Sequence, residues 1–467
     1  MKKNVLLYGG GEAAHQLYLK NRTDTKLNIV GVIDDNSDHN FFAKGIPFIN
    51  HQDVQETILK HHVSEILLLI PSLTARELDS IITKLKSFDV IIKMLPLSNE
   101  PGAQVSYSDI KNISLEELIG RKPSPVDEAS LSTFITGSVI LITGAGGSIG
   151  SEICKRISKF HPKMLILLDH SEENLFHIFE YFSDLDLPFR IIPVLGNCCD
   201  FNFLESVFED YPIDVCIHSA AYKHVDMVQR NVIAGFNNNV KSTYNLLVLS
   251  DRFNLNYFTL VSSDKAVRPS NIMGATKRIC ELLVSHFRFI NININIKFTI
   301  VRFGNVVGSS GSVVPIFLNQ IANGGPITLR DVNVVRYFMS IKEACDLVLQ
   351  ASAFRFDFGI FLLDMGEPVK IIDIAKQLIT LTGCNEGQNQ VEIVTTGLKP
   401  GEKLYEELLM GFSKSTTPHE KIFVSNEQVD FCDEFINRVA DSLSVVSTKE
   451  TIVDLLEHYV EGFSAGD

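Results

Sequence analysis

The sequence lacks the features of several protein classes. None of its eight cysteines forms a CxxC pair or has histidine partners at zinc-ligand spacing, so we expect reduced thiols in apolar cores and no metal site. No apolar run approaches the roughly 18 residues of a membrane span. Glycines interrupt the apolar start too early for a signal peptide. These absences predict a cytoplasmic protein without a membrane span.

An excess of basic charge is also missing. The net charge of -14 is spread along the whole chain, so the sequence offers nucleic acid no general attraction. No tract is rich in Pro, Gly or Ser, and 45% apolar with 21% charged residues is typical of a globular protein. At 467 residues, with about 150 residues per domain, the chain has room for two or three domains.

Residues 1–100 have the pattern of a small Rossmann-like α/β domain. The apolar run VLLY enters Gly9–Gly11 and then a helical pattern, a second strand ends at Asp34 and Asp35, and EILLLI predicts a third strand. Glycine turns of this kind also occur without a ligand, so ligand binding and a purely architectural role both stay open. Residues 101–133 are interpreted as a polar connector with one short helix.

A stronger dinucleotide-binding pattern begins near residue 134. An apolar strand is followed by Gly144, Gly147 and Gly150 and then by a helix. Glycines let the backbone approach a pyrophosphate, which the free N–H groups of the helix N-terminus attract. The next strand, KMLILLDH, ends at Asp169, whose carboxylate can accept ribose hydroxyls and would repel a 2′-phosphate. The pattern predicts NAD as the cofactor rather than NADP.

The stretch SSDKAVRPSNIMGATK lacks a tyrosine. A short-chain dehydrogenase has Ser at a strand end and Tyr four residues before Lys on the next helix, but here Met273 stands four residues before Lys277. Because Met cannot ionise, an active enzyme needs another group for the proton that the phenol takes elsewhere. Ser263, Asp264 and Lys265 are candidates, since they follow the strand YFTLV and catalytic side chains gather at the carboxyl ends of parallel strands.

Further motifs follow in a fixed order: HSAAYKHVDMVQRN, NNNVKST, VRFGNVVGSSGSVVPIF, RYFMSIKEACDLV, FLLDMGEPVKIIDIA and GLKPGEKLYEELL. Together they resemble the nucleotide-sugar 4,6-dehydratases of bacterial polysaccharide and protein-glycosylation pathways, which are extended short-chain dehydrogenases. The resemblance covers residues 135–412, and the first domain resembles the family's CoA-binding-like N-terminal module. The family's subgroup with Met at the tyrosine position is active, so the missing tyrosine indicates a subgroup rather than a dead enzyme.

The resemblance implies one catalytic domain over residues 134–467. Its NAD part extends to about residue 300, its substrate part lies mostly in residues 301–412, and a helical tail follows. The expected fold is a doubly wound parallel sheet with a C-terminal substrate-binding α/β lobe, and a homo-oligomer is expected. Long family members often begin with transmembrane helices, which are absent here, so membrane anchoring is not carried over. The segment TKETIVDLLEHYVEGF predicts an amphipathic helix.

The glycine pattern and the resemblance together predict the cofactor-binding residues. They are Gly144, Gly147, Ser148, Ile149, Gly150, Asp169, Ser171, Asn197, Ala220, Ala221, Tyr222, Asn239 and Lys277. Asn197 stands where the family commonly has an adenine-contacting Asp, and an amide can still accept and donate. Lys277 is expected to bind the nicotinamide ribose and to add positive potential.

Substrate-binding residues are expected in the loops that follow. They are Lys223, His224, Asn305, Ser309, Val313, Arg336 and Glu402. Arg336 could pair with a diphosphate in a bidentate manner or form a salt bridge that supports the fold. Glu402 could accept nucleoside ribose hydroxyls or act as a carboxylate at a helix N-terminus. His224 is expected near the substrate rather than in catalysis.

The resemblance places the catalytic set at Ser263, Asp264, Lys265, Met273 and Lys277, with a steric role for Met273. In a closed site Asp264 is expected to donate a proton to the C6 oxygen, and desolvated Lys265 to become a neutral amine that removes the C5 proton. In our preferred scheme Asp264 first accepts the C4 hydroxyl proton, directly or through Ser263 or water, and then delivers it to C6.

The resemblance implies UDP-N-acetylglucosamine as the substrate. The product would be UDP-2-acetamido-2,6-dideoxy-α-D-xylo-hexos-4-ulose, with the C5 configuration retained, for bacterial glycan biosynthesis. GDP-linked and other 2-acetamido sugars stay open. Two alternatives also remain: a 4-epimerase, which normally depends on Tyr, and a non-catalytic NAD-binding sensor.

Overall fold

The structure of the chain is a computed structural model. It describes residues 2–24, 26–35, 46–85, 88, 90–96, 105–113, 124–290, 295–354, 356–382, 391–407, 414–427, 433–444 and 448–465. Residues 101–104 and 114–123 of the predicted connector lie outside this part of the chain. The chain forms two compact units, the first from Met1–Lys122, Gly311–Asn333 and Val369–Gly397, the second from Pro123–Ser310, Val334–Pro368 and Leu398–Asp467.

Strands and helices alternate along the N-terminal and central parts of the chain. The N-terminal elements are β1 (Lys3–Tyr8), α1 (Glu12–Asp24), β2 (Leu27–Ile33), α2 (Val54–His61), β3 (Glu65–Leu68), α3 (Ala75–Leu85), β4 (Ile91–Met94) and β5 (Lys111–Asn112). The central elements are α4 (Glu128–Ile135), β6 (Val139–Thr143), α5 (Ser148–Ile157), β7 (Met164–Asp169), α6 (Glu172–Ser183), β8 (Arg190–Leu195), α7 (Phe201–Asp210), β9 (Val215–His218), α8 (Val225–Arg230), α9 (Val232–Phe236), α10 (Ser242–Arg252), β10 (Tyr257–Val261), α11 (Ile272–Ile290) and β11 (Lys297–Arg302).

The C-terminal part has shorter strands and ends in two helices. Its elements are β12 (Asn305–Val307), α12 (Val313–Ala322), β13 (Ile327–Leu329), β14 (Val335–Arg336), β15 (Phe338–Ser340), α13 (Ile341–Ser352), β16 (Phe358–Leu363), β17 (Val369–Lys370), α14 (Ile371–Leu381), β18 (Ile393–Thr395), β19 (Lys414–Thr416), β20 (Ile422–Ser425), α15 (Asp433–Ser444) and α16 (Lys449–Tyr459). Single 3₁₀ turns lie at His51–Asp53, Tyr107–Asp109, Ser158–Phe160 and Asp264–Ala266, and a π-helical turn lies at Asn237–Lys241.

The first unit contains a sheet in the order β2-β1-β3-β4-β5, which is parallel apart from β5. The last four residues of β1 are buried, as expected for an apolar strand that is covered on both faces. At the end of β1, Gly9 has a φ of 98°, and a Cβ atom there would lie 2.3 Å from Ile70 Cγ1. The N-terminal segment therefore has the predicted Rossmann-like α/β pattern.

Two later segments belong to the same unit. Residues 311–333 and 369–397 carry α12, β13, α14 and β18, and β13 pairs with β18 in parallel. The sequence analysis assigns both segments to the substrate part of the catalytic domain. The structure groups them with the N-terminal segment, because α14 packs beside α3 and β4. The domain boundaries at residues 100 and 134 stay predictions.

The second unit is built on a sheet in the order β19-β20-β16-β11-β10-β9-β6-β7-β8. The strands from β16 to β8 are parallel, and β20 and β19 are antiparallel. β6, β7 and β9 are buried throughout, which explains their continuous apolar sequences. The strand order reverses at β6, between β7 and β9, and ligands of doubly wound sheets bind at such a point. The predicted doubly wound parallel sheet is confirmed.

Burial outside the sheet agrees with several expectations. The helix expected in the tail is α16, whose Ile452, Leu455 and Leu456 pack into the core of the second unit. The described cysteines are free thiols, and all are buried except Cys199, which is partly buried. Within the described residues, none of the helices has the length and apolar character needed to cross a membrane.

A network of buried charges lies at the carboxyl end of β11. Glu281 of α11 accepts hydrogen bonds from Arg302 Nε at 2.8 Å, from Arg302 Nη2 at 2.6 Å and from Ser262 Oγ at 2.6 Å. Arg302 also donates to Glu427 at 3.1 Å, and Arg278 forms ion pairs with both glutamates. Arg302 and Glu281 have no exposed side-chain surface. The network therefore joins β11, α11 and the segment after β20 through charges that water does not reach.

The network also depends on pH. Burial raises the pKa of Glu281, but Arg302 and Arg278 outweigh burial and lower it to about 2, from a usual value of 4.5. A carboxyl group whose pKa is depressed by folding contributes its full stability above its unfolded pKa and loses it as the pH falls through the folded value. The contribution of Glu281 is therefore complete above pH 4.5 and disappears towards pH 2.

Removing the charge of Glu281 should destabilise the fold. Glu281→Gln leaves Arg302 buried without its main counter-charge, and breaking a buried pair costs roughly 3–5 kcal/mol. Urea denaturation followed by circular dichroism measures the free energy of unfolding. As the matched control, Glu205→Gln removes the surface pair with Arg252 and should cost less than about 1 kcal/mol. Equal costs for the two variants would show that the buried network is not a main source of stability.

Candidate active site

The glycine turn after β6 is closely packed against its surroundings. Gly144 has a φ of 65°, and a Cβ atom there would lie 2.8 Å from Ala220 Cα. A Cβ atom on Gly150 would lie 2.0 Å from the carbonyl oxygen of Gly144. Gly147 is the N-cap of α5, and its N–H donates to the Gly144 carbonyl at 3.0 Å. The turn thus brings bare backbone and a helix N-terminus to the point where the strand order reverses, which fits a pyrophosphate.

Asp169 at the end of β7 supports this turn. Its carboxylate is 4% exposed and accepts hydrogen bonds from the N–H groups of Gly146 and Ser171, both at 2.9 Å. Each carboxylate oxygen has room for a second donor, so these bonds leave acceptor capacity for ribose hydroxyls. Ser171 also caps α6, because its Oγ accepts the N–H of Asn174 at 3.3 Å.

A small cleft opens beside Asp169. The residues that line it are Gly144, Leu168, Asp169, His170, Gly196, Asn197, Cys198, Ala220, Asn238 and Ser242. The exposed Asn197 uses its Oδ1 to accept the N–H of Cys199 at 2.9 Å. The structure therefore places Asn197 and Asp169 on one cleft, and adenine contact by Asn197 stays a prediction.

Asn239 fixes the loop that follows β9. Its Oδ1 accepts the N–H of Tyr222 at 2.8 Å, and its Nδ2 donates to the Tyr222 carbonyl at 3.2 Å and to Thr276 Oγ1 at 3.0 Å. The side chain is buried and lies on the π-helical turn. A π-turn inside a helix often marks a functional site. In this structure the Asn239 amide holds the loop against α11, and its expected contact with the ribose stays a prediction.

The predicted catalytic triplet forms a hydrogen-bonded group at the end of β10. Asp264 is 2% exposed, and its Oδ1 accepts Ser263 Oγ at 2.8 Å and Lys265 Nζ at 3.0 Å. Ser263 caps the 3₁₀ turn that begins at Asp264 by accepting the N–H of Lys265 at 3.2 Å. Lys265 Nζ also donates to Asn305 Oδ1 at 3.4 Å. The structure thus brings together three predicted catalytic residues and one predicted substrate residue.

Lys265 is charged in this arrangement. Burial lowers its pKa, but the negative charges of Asp264 and Glu406 outweigh burial and the repulsion from Arg336, so the pKa is raised above its ordinary value. Without substrate Lys265 therefore favours the ammonium form, and the neutral amine expected in the closed site stays a prediction. The ammonium group has a buried carboxylate as its partner, and this attraction exceeds the cost of burial.

Lys277 differs from Lys265 in its surroundings. Its Nζ donates to the Val261 carbonyl at 2.8 Å, and burial lowers its pKa, although Cys280 and Glu281 act in the opposite direction. Met273, one helical turn earlier on α11, is 3% exposed and packs in the apolar core. Its burial agrees with the steric role expected for it.

Arg336 and Glu406 form a second charged pair in the site. Arg336 Nη1 and Nη2 donate to the carbonyls of Val335, Leu404 and Lys403 at 2.8 to 3.1 Å. Arg336 Nη2 and Lys265 Nζ each lie 3.8 Å from Glu406 Oε1. The guanidinium therefore supports the segment that carries Glu406, which agrees with the salt-bridge alternative, and a contact with a diphosphate stays a prediction.

The sequence analysis missed Glu406 and chose Glu402 from the same motif. Glu402 Oε2 accepts the N–H of Lys399 at 2.9 Å, so this carboxylate stabilises a turn of its own segment. The available signal was the Glu-Glu pair in KLYEELL, but nothing in the sequence distinguishes its first member from its second.

His218 was not predicted from the sequence either. It is buried between Thr143 Oγ1 at 2.7 Å and Thr243 Oγ1 at 3.1 Å, and burial lowers its pKa to about 3.

The remaining predicted residues lie in loops and in the first turns of helices. Tyr222, Lys223 and His224 are exposed in the loop between β9 and α8. Ala221 lies in the same loop, and Ile149 lies in the first turn of α5. One contact ties the start of α5 to the loop after β12, since Ser148 Oγ accepts the N–H of Ser310 at 3.2 Å. Within that loop, Ser309 Oγ donates to the Val306 carbonyl at 3.0 Å. Val313 begins α12, which belongs to the other unit.

Known proteins resemble this chain in sequence and in fold. Residues 140–427 match the family model described as polysaccharide biosynthesis protein. The chain is 39% identical over 422 residues to the probable polysaccharide biosynthesis protein EpsC of Bacillus subtilis, covering 89% of this chain and 68% of the relative. Among solved structures, Pen from Bacillus thuringiensis is 30% identical with a TM-score of 0.57, covering 64% of this chain and 90% of that one.

More distant relatives have names that state a reaction. A UDP-glucose 4-epimerase of Rickettsia bellii is 29% identical over 58% of this chain and 77% of the relative, and an inverting UDP-N-acetylglucosamine 4,6-dehydratase of Campylobacter jejuni is 28% identical over 63% and 84%. A dTDP-glucose 4,6-dehydratase of Streptomyces venezuelae, solved with NAD bound, shares the fold at a TM-score of 0.50 and 20% identity, covering 65% of this chain and 97% of that one. The family match and the identity to EpsC show that this chain belongs to the polysaccharide biosynthesis protein family.

Proposed function

We propose that the chain is an NAD-dependent nucleotide-sugar 4,6-dehydratase that acts on UDP-N-acetylglucosamine. The observation that carries this proposal is the hydrogen-bonded pair of buried Asp264 and partly buried Lys265 at the end of β10, next to Asn305 and with Met273 in the core. A 4-epimerase normally relies on a tyrosine at position 273 and has no elimination step that needs such a pair. The distant Campylobacter relative is named for the same dehydration of UDP-N-acetylglucosamine, but its name states inversion, whereas we propose retention at C5.

The residues of the second unit fit NAD. Gly144 and Gly150 leave no room for a Cβ atom, and Asp169 offers acceptor capacity at the cleft. In the proposed complex the glycine turn would hold the pyrophosphate, Asp169 the adenosine ribose and Lys277 the nicotinamide ribose. When bound, NAD supplies the acceptor for the hydride of C4 and later the donor of that hydride to C6.

The proton transfers can be assigned to two side chains. Asp264 accepts the proton of the C4 hydroxyl and later gives it to the C6 hydroxyl, which leaves as water. The neutral amine of Lys265 takes the C5 proton, which the C4 ketone has made acidic, and returns a proton to C5 after the hydride has reached C6. The sugar thus loses one molecule of water. At the end of the cycle Asp264 is again a carboxylate and Lys265 is again a neutral amine. Ser263, which donates to Asp264 Oδ1, keeps that carboxylate oriented.

Purified protein should convert UDP-N-acetylglucosamine into a product that is lighter by one water. Mass spectrometry gives the change in mass, and NMR of the product reports the configuration at C5, which the Met subgroup predicts to be retained. A product with the mass of the substrate and the opposite configuration at C4 would show that the chain is a 4-epimerase instead. If NAD is bound but the substrate is left untouched, the result would favour a non-catalytic sensor. If the protein turns over only a GDP-linked sugar, the proposed substrate would be wrong.

Asp264→Asn should abolish turnover and leave NAD binding intact. The amide keeps the size of the side chain but cannot take the C4 proton, and loss of a general acid-base group typically lowers kcat about 10²-fold or more. Turnover rates and calorimetric titration with NAD measure the two effects. Asp210→Asn, at the exposed end of α7, is the matched control and should behave as wild type. Full activity of the Asp264 variant would remove that residue from the mechanism.

Asp169→Asn should narrow the preference for NAD over NADP. The amide oxygen can still accept the N–H of Gly146, but the charge that repels a 2′-phosphate is gone. Titration with each cofactor should show the ratio of the two Kd values falling by about tenfold, which corresponds to about 1.4 kcal/mol. An unchanged ratio would mean that Asp169 acts only on the fold of the glycine turn.

A further inference from the structure

We propose that Glu406 is a positioning residue of this active site, which holds the Lys265 ammonium group between two carboxylates and links it to Arg336. Its effect on the base function of Lys265 rests on the proposed dehydratase activity. Glu406 lies outside the triplet and outside every residue assigned above to substrate or cofactor. Only the folded chain brings it to Lys265.

The geometry around Lys265 supports this role. Its Nζ is 3.0 Å from Asp264 Oδ1 and 3.8 Å from Glu406 Oε1, while Arg336 Nη2 lies 3.8 Å from the same Glu406 oxygen. The Glu406 side chain is 6% exposed and that of Asp264 is 2% exposed. The side chains of Lys265 and Arg336 are 19% and 13% exposed, so the two carboxylates and two cations form a partly buried cluster of balanced charge.

The segment that carries Glu406 is held firmly against the catalytic loop. Lys403 Nζ donates to the Arg268 carbonyl at 2.8 Å, and the Gly401 carbonyl accepts Ser270 Oγ at 2.8 Å and Asn271 Nδ2 at 3.1 Å. These bonds join residues 401–403 to the loop between Lys265 and α11. Glu406 thus has a fixed place relative to Lys265, as a positioning residue requires.

The charges that act on Lys265 come from three segments of the second unit. Asp264 belongs to the 3₁₀ turn, Glu406 to the segment after Gly401, and Arg336 to β14, while the neutral Asn305 side chain contacts Lys265 from β12. When Asp264 takes the C4 proton, it becomes neutral, and Glu406 is then the remaining negative neighbour among these groups. Glu406 therefore affects how strongly Lys265 holds the proton that it takes from C5.

The proposed role of Glu406 predicts the direction in which the pH profile of kcat shifts when its charge is removed. The negative charge of Glu406 favours the ammonium form, so the neutral amine becomes available only at higher pH. If Lys265 acts as the base, kcat rises with pH as the neutral fraction grows. Glu406→Gln removes the charge and should shift this rise to lower pH.

The experiment compares three variants with the wild-type full-length chain. Glu406→Gln removes the charge, Glu406→Asp keeps it on a shorter side chain, and Glu407→Gln is the matched control on the neighbouring residue. Glu407 pairs with exposed Arg268 at 3.1 Å and is itself 44% exposed. One readout is the pH profile of kcat and KM with UDP-N-acetylglucosamine. The other is the pH dependence of Lys265 acetylation by acetic anhydride, measured by peptide mass spectrometry.

We expect Glu406→Gln to lower the midpoint pH in both profiles, Glu406→Asp to stay close to wild type, and Glu407→Gln to match wild type. A lower kcat in Glu406→Gln with an unchanged midpoint in both profiles would overturn the proposal, since that is the result of a merely structural role. The acetylation readout does not need turnover. If the acetylation midpoint shifts in Glu406→Gln but the protein does not dehydrate the sugar, the dehydratase proposal is wrong. The proposed effect of Glu406 on Lys265 is then still supported.

Discussion

The hydrogen bond between Lys265 and Asp264 joins a partly buried ammonium group to a carboxylate that is 2% exposed. Such a pair persists only when the surrounding groups satisfy the remaining donors and acceptors. Here Ser263 does so from the same strand end, and Asn305 and Glu406 do so from two other parts of the second unit. The strand end, the β12 segment and the segment after Gly401 are therefore held in one arrangement by a single ion pair.

A second set of charges lies directly behind this pair. Ser262, the residue before the triplet, donates to Glu281, and Glu281 lies one helical turn after Lys277 on α11. Because Arg302 and Arg278 already neutralise Glu281, this carboxylate only partly offsets the effect of burial on Lys277. The two lysines of the site thus differ in protonation tendency because only Lys265 has a carboxylate as a direct partner.

The features that sequence reasoning predicted correctly are local ones. The glycine turn, Asp169 at the end of β7 and the triplet at the end of β10 follow from strand periodicity and from the rule that parallel strands present their carboxyl ends at one edge. The charge state of Lys265 could not be predicted, because it depends on the balance between its burial, the adjacent Asp264 and Glu406, which is distant along the chain. The same limit applies to Arg336, whose donors are occupied by the carbonyls of residues 403 and 404 only in the folded chain.

The amide of Asn239 joins the loop at Tyr222 to Thr276, the residue directly before Lys277. One end of this side chain accepts and the other donates, so an aspartate of the same size would provide no donor and would bring a charge into a buried position. The hydrogen bonds of Asn239 therefore hold the loop at Tyr222 and the first turns of α11 in one fixed arrangement, and a substitution at this position would disturb both segments together.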